Sequence, residues 1–207
     1  LKQCVRFMTV DELMAVLKRD FANWGSDGGV TFSGGEPLMH HEFLDKVLQR
    51  CRKEQMHTAI ETSGFASREV FMKIFRNLNF AFIDVKNMDD KRHKWGTGVS
   101  NQPILDNISA LAHSDWGGRL VLRQPTIGGF NDSIENARKV IEFMNANNLF
   151  EINLLRFHRM GGTKWEQLGK KYEYDDHGDI SEERLKELQS LYLENDIACY
   201  IGEDTPF

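Results

Sequence analysis

The chain has 207 residues, 41% hydrophobic and 28% charged, which suits one globular domain over residues 1–207 with a sizeable core. A formal net charge of -5 excludes the basic footprint of a nucleic-acid binder, and the run Lys91-Arg92-His93-Lys94 follows Asp89-Asp90, so it reads as a solvated charged segment. No apolar run approaches the roughly 20 residues of a membrane span, no signal peptide is visible, and no membrane role is expected.

The elements then follow in chain order. Thr9 and Glu12 form a capping box, and Val10, Leu13, Val16, Leu17 and Phe21 repeat at helical spacing behind it. A short strand, Val30–Ser33, runs into Gly34-Gly35-Glu36-Pro37, and a helix over about 41–54 follows. Thr58–Thr62 is a strand, 68–77 a helix, Phe80–Lys86 a strand, 104–113 a helix and 120–124 a strand. Asp132 and Glu135 have capping-box spacing before a helix with Ile134, Ala137, Val140, Ile141 and Met144 on one side. Glu151–Leu155 is a strand, and 159–179 a loop rich in Gly, Lys and Asp. Ser181 caps the last helix, with Ile180 and Leu185 as a hydrophobic staple, and Ile197–Ile201 closes the chain as a strand.

Strands alternating with helices at this spacing specify an α/β fold with a parallel sheet. About five βα units plus a final strand fall short of a full eight-unit barrel of about 250 residues. A partial, open β/α barrel is therefore expected, with a doubly wound sheet as the alternative. The chain starts at Leu1 and reads as a piece of a longer protein. Of three cysteines, Cys51 continues a helical core stripe, Cys199 lies in the last strand and Cys4 has no evident role. They are too scattered for a disulfide framework or for metal-ligand spacing, which points to a reducing compartment, the cytoplasm by default.

Parallel α/β folds keep their chemistry at the carboxyl ends of the strands. There the sequence places Ser33 to Glu36, then Glu61, Thr62 and Ser63, then Asp84 and Lys86, Arg123, and finally Arg156 and His158. Two glycines let a ligand approach the backbone, because no Cβ intervenes. Singly, each residue also has an ordinary reading: Asp84 and Lys86 share a strand face and can pair, and Arg123 can bind a neighbouring carboxylate. Together they suit a polar, zwitterionic ligand. With no nucleophile–base pair apparent, a cofactor is expected to perform the hard step. A weaker alternative is a metal among His40, His41, Asp84 and His158.

The segments Gly28 to Glu36, His57 to Gly64, Ile83 to Lys86, Leu154 to His158 and Gly162 to Gly169 keep an order and spacing that resembles the radical S-adenosylmethionine (SAM) activating enzymes of glycyl radical enzymes, the pyruvate formate-lyase-activating enzyme family. The resemblance implies an oxidoreductase with a radical SAM partial barrel, a [4Fe-4S] cluster and SAM, from which a 5′-deoxyadenosyl radical takes a hydrogen atom from a glycine of the partner enzyme. It implies a glycyl radical enzyme as partner, and reduced flavodoxin or ferredoxin as electron donor. By the same resemblance Gly34, Gly35 and Glu36 meet the amino group of SAM, and Asp84, Val85 and Lys86 contact it. Arg123 and His158 are further contacts, His158 towards the adenosine. Glu61 and Thr62 match a position where some members hold SAM or a monovalent cation.

Three departures stand out. The Cys-x3-Cys-x2-Cys cluster motif is absent, so the chain is expected to lack the first strand, the cluster and, by itself, the activity. Glu61 stands where the pyruvate formate-lyase activase has an aspartate, and Arg156 replaces a proline usual before the aromatic-His pair. The alternative is a cluster-free barrel serving as a binding or regulatory module. The loop over 159–179 is a further expectation, as a docking element for the partner.

Overall fold

The computed structural model describes residues 6–25, 28–159, 169, 171, 176–202 and 204–205. Six strands form one parallel sheet in strictly sequential order: β1 (Val30–Phe32), β2 (Thr58–Thr62), β3 (Phe80–Asp84), β4 (Arg119–Thr126), β5 (Glu151–Arg156) and β6 (Ala198–Ile201). A doubly wound sheet reverses its strand order at a switch point. This sheet has no reversal, and among the described residues β1 and β6 do not pair, so it is an open partial barrel.

Side chains alternate between the two faces along each strand. Ile60, Ile83, Leu122, Ile152, Leu154 and Cys199 face the helices and join them in the main core. Ala59, Phe80, Phe82 and Val121 form a separate cluster on the opposite face, made of strand residues alone. The helices are α1 (Val10–Phe21), α2 (His41–Lys53), α3 (Arg68–Phe75), α4 (Asp90–Thr97), α5 (Gln102–Ala112), α6 (Ile134–Ala146) and α7 (Glu182–Leu193), with a 3-10 turn at Pro37–His40. Met14 of α1 packs on Val47 and Cys51 of α2 in a satellite cluster under β1.

Local chemistry sets the element ends. At Thr9 both capping-box bonds form: Glu12 N donates to Thr9 Oγ1 (3.2 Å), and Thr9 N donates to the Glu12 carboxylate (2.7 Å). Ser181 caps α7, and Ile180 and Leu185 are both buried in the main core. Cys51 is buried as expected, Cys199 lies in β6 as expected and is buried there too, and Cys4 lies outside the described residues.

Several expectations need correcting. The cap of α6 is Ser133, whose hydroxyl accepts from Asn136 N (3.1 Å); Asp132 instead accepts from Gly129 N (2.9 Å), and Glu135 pairs with Lys139. The run Lys91 to Lys94 is solvated as read except at His93, which is buried, and it lies within α4, which is capped by Asp89 and stopped by Gly98 in the left-handed region (φ 82°). β4 continues through Pro125 to Thr126, whereas β3 stops at Asp84. Most of the 160–175 stretch, and with it the docking loop, lies outside the described residues; at its flanks Arg159 pairs with Asp179 (2.7 Å).

Candidate functional site

At the carboxyl ends of the strands, the face opposite the helices carries a chain of charges. Arg123 Nε donates to Asp84 (2.7 Å), and its Nη1 lies 2.9 Å from Glu61 Oε2. Register explains the meeting, since Asp84 is directly paired with Arg123 and all three side chains point to one face. Lys86 Nζ lies 3.0 Å from the second Asp84 oxygen, and Ser33 donates to Glu61 (3.2 Å). The guanidinium also lies over the Phe82 ring, 5.5 Å from its centroid. Burial works against the Arg123 charge, but Asp84 and Glu61 outweigh it and hold its pKa above the ordinary value. The positive charge between the two carboxylates is thus the arginine's own. Among the described residues no three His, Cys, Asp or Glu side chains group to hold a metal ion, against the alternative of a metal among His40, His41, Asp84 and His158.

Glu36 faces elsewhere. One carboxylate oxygen accepts from Thr62 Oγ1 (2.6 Å) and Leu38 N (3.1 Å), and the other from the backbone N (2.8 Å) and hydroxyl of Ser63. Glu36 therefore ties the β1 turn to the end of β2 and caps the 3-10 turn. Gly34 adopts φ 113°, a conformation that L side chains rarely take. A Cβ built on Gly34 or Gly35 meets nothing within 4 Å, so the turn presents bare backbone to open space. Val85 is buried, and its N–H donates to Arg123 O (2.8 Å), extending the β3–β4 ladder past Asp84. His158 lies beyond the end of β5 and is exposed, as is Arg156. The structure thus joins Glu61, Asp84, Lys86 and Arg123 in one network and Glu36 with Thr62 in another, while His158 belongs to neither.

Five buried asparagines that sequence reasoning missed hold the rim loops. Asn131 donates to Lys86 O (2.6 Å) and Pro125 O (2.7 Å), and its side-chain oxygen accepts from Ile127 N (2.7 Å). Asn87 donates to Phe130 O (2.8 Å), and Asn101 to the carbonyls of Asn87 and Met88 (3.0 Å each). Asn136 accepts from Met88 N (2.9 Å), and Asn107 donates to the carbonyls of Gly64 and Ala66 (3.0 Å each). The only sequence signal was their amide chemistry in loops and at helix starts.

A zwitterionic ligand fits the chemistry of this rim, with bare backbone at Gly34-Gly35 and carboxylates and cations side by side. An iron-sulfur cluster does not fit the described thiols. Burial pushes the Cys199 thiol up to about 12 and raises that of Cys51, both within the helix-covered side of the fold.

Comparison with known proteins agrees with the motifs. The Radical SAM superfamily model matches residues 2–144. The 4-hydroxyphenylacetate decarboxylase activating enzyme of Clostridium scatologenes is 67% identical over all of this chain, and that of Clostridioides difficile (strain CD196) is 62% identical. The chain spans 66% and 65% of the length of these two relatives. The crystal structure of a domain of pyruvate-formate lyase-activating enzyme from Bacteroides vulgatus superposes with a TM-score of 0.70 at 32% identity, covering 84% of this chain and 99% of that one. A sheet without strand reversal, a glycine turn open to ligand and a charged rim thus coincide with this kinship, and the chain belongs to the radical SAM superfamily, among its activating enzymes.

Proposed function

We propose that this chain is the SAM-binding sheet of an activase that generates a glycyl radical on a partner enzyme. The observation that carries the reading is the bare Gly34-Gly35 backbone beside the Glu61–Arg123–Asp84–Lys86 network. In this reading Gly34 and Gly35 meet the amino group of SAM, with Glu36 and Thr62 fixing the turn that presents them. Asp84, Val85 and Lys86 form the floor. Arg123, clamped by Glu61 and Asp84, and Lys86, which is part-exposed, face the carboxylate. His158 serves the adenosine end. SAM and a reducing [4Fe-4S] cluster supply the one-electron chemistry when bound. The protein's own share is orientation and exclusion of water.

The 207 residues as they stand are proposed to hold no cluster and to be inactive alone, the cluster ligands belonging to another part of the whole protein. Reduced flavodoxin or ferredoxin in the cytoplasm is the proposed electron donor. The names of the relatives at 67% and 62% identity suggest a 4-hydroxyphenylacetate decarboxylase as partner. The test is reductive cleavage of SAM by the iron-reconstituted whole protein, with and without Gly35→Val. A side chain at position 35 starts into open space, since its Cβ meets nothing within 4 Å, and a Val there would crowd the space left for ligand. The expected result is an unchanged melting temperature and SAM affinity about tenfold weaker or worse. Unchanged affinity, or no cleavage by the unmodified whole protein, would overturn the reading.

A further inference from the structure

On the helix-covered side of the rim lies a cavity of about 500 Å³, within the range of about 300–1,000 Å³ of ligand pockets. Its walls are largely apolar, from Phe65, Val99, Ile104, Ile127 and Phe130, and it shares Glu36 and Lys86 with the site above. The asparagine bonds described above fix its loops before any ligand arrives: Asn107 holds the turn bearing Phe65, while Asn131 and Asn87 hold Ile127 and Phe130. Gly96 of α4 admits the Phe130 ring, which a Cβ there would meet at 2.7 Å.

His93 is the polar group this cavity leaves unused. It lines the cavity and is only 2% exposed. Its Nδ1 lies 2.8 Å from Val99 O, a group that can only accept, so Nδ1 carries the proton of the neutral ring. Thr97 Oγ1, also near Nδ1, donates to His93 O (2.8 Å). The lone pair on Nε2 has no partner among the described residues, and Nε2 is not one of the side-chain atoms sealed away unpartnered, so it is open to a donor that enters the cavity. Around the cavity Met39 (74% exposed), Trp95 (71%) and Phe65 (41%) show apolar surface to solvent, with Trp95 6.2 Å from Phe130. Exposed apolar side chains flanking a pocket suit a polypeptide better than a free small molecule.

We infer that the cavity receives a tyrosine side chain of the partner polypeptide, its ring between the apolar walls and its hydroxyl donating to His93 Nε2; the existence of a protein partner rests on the proposed function. A phenol carries its donor at the tip of the ring, in line with entry between the apolar walls, whereas an indole carries its N–H on the flank. The test uses the whole protein with N-acetyltyrosinamide and N-acetylphenylalaninamide as probes, binding being read by saturation-transfer NMR. Expected is about fivefold tighter binding of the tyrosine probe, the worth of one hydrogen bond. His93→Asn keeps a donor for Val99 O, has nothing at the Nε2 position, and should bring the two probes level. Val99→Phe fills the cavity and should abolish both signals. Equal binding of the two probes to the unmodified protein, or full binding to a folded Val99→Phe protein, would overturn the inference; the first comparison needs no variant. SAM cleavage without partner is measured in parallel. Cleavage with equal probe binding removes the cavity inference and leaves the proposed function, whereas tyrosine-selective binding without cleavage keeps the cavity as a tyrosine site but removes the proposed function and, with it, the partner enzyme as the source of that tyrosine.

Discussion

Arg123 is held by two carboxylates from two neighbouring strands, and its side chain is only 16% exposed. Arg123→Met would leave Glu61 and Asp84 facing each other with no cation between them, at a cost of about 3 kcal/mol by analogy with broken, partly buried ion pairs. Chemical denaturation would show it, and Arg123→Lys should recover only part, because an ammonium cannot bridge both partners with a planar fork. Asp90 offers a separate test. The Lys94 ammonium, then the Ser100 hydroxyl, hold its carboxyl down at about 2 from an ordinary 3.8. A carboxylate whose folded pKa is depressed adds stability that is complete above its unfolded pKa and lost as pH falls through the folded one. The relevant window therefore runs from 3.8 down to about 2. NMR titration should place the Asp90 midpoint near the lower end, and Lys94→Ala should move it upward. These pairings were half legible in the sequence: Asp84 and Lys86 share a face by spacing, and a neighbouring carboxylate was the ordinary alternative for Arg123. That Glu36 bonds across to Thr62 and Ser63 was not legible, because it depends on how the β1 turn folds over the end of β2.

The elements show where pattern reading runs out. α4 contains Asp90, Lys91, Arg92 and Lys94, with His93 its one buried residue, so it has almost no apolar stripe to betray it. Its signals were the caps, Asp89 before it and Gly98 after it. At α6 two good cap residues adjoin, and the choice went to Ser133 because Asp132 already holds the Gly129 turn. Ser133→Ala should therefore lower stability by about 1 kcal/mol in denaturant melts. No loss of stability in Ser133→Ala would mean that the Ser133 hydroxyl does not cap α6. The hydrophobic helices and strands were readable because burial on one face repeats along the sequence; the asparagine bonds between loops leave no such repeat.

At the scale of the molecule, the sheet has helices on one face and a strand-only aromatic cluster with charges on the other. β1 has three residues and pairs only with β2 among the described residues, while β3 and β4 each have neighbours on both sides. Native-state hydrogen exchange should therefore release β1 amides well before those of β3 and β4. Equal protection across the sheet in the isolated chain would mean that some other segment covers the β1 edge. The α/β class with a parallel sheet was readable from the alternation of elements and the open barrel was expected from the number of units, whereas excluding the doubly wound alternative required the order of strands in space.

That order also bears on how the chain acquires its structure. Each strand lies beside the one made immediately before it, so no pairing waits for a distant segment, and closing each loop costs only the entropy of one βα unit. A nascent chain can add strands one at a time as it leaves the ribosome, each new helix covering the seam just formed. The carboxyl-rim network would then be completed in steps: Glu61 first, Asp84 next, and the guanidinium that neutralises both only once β4 has docked.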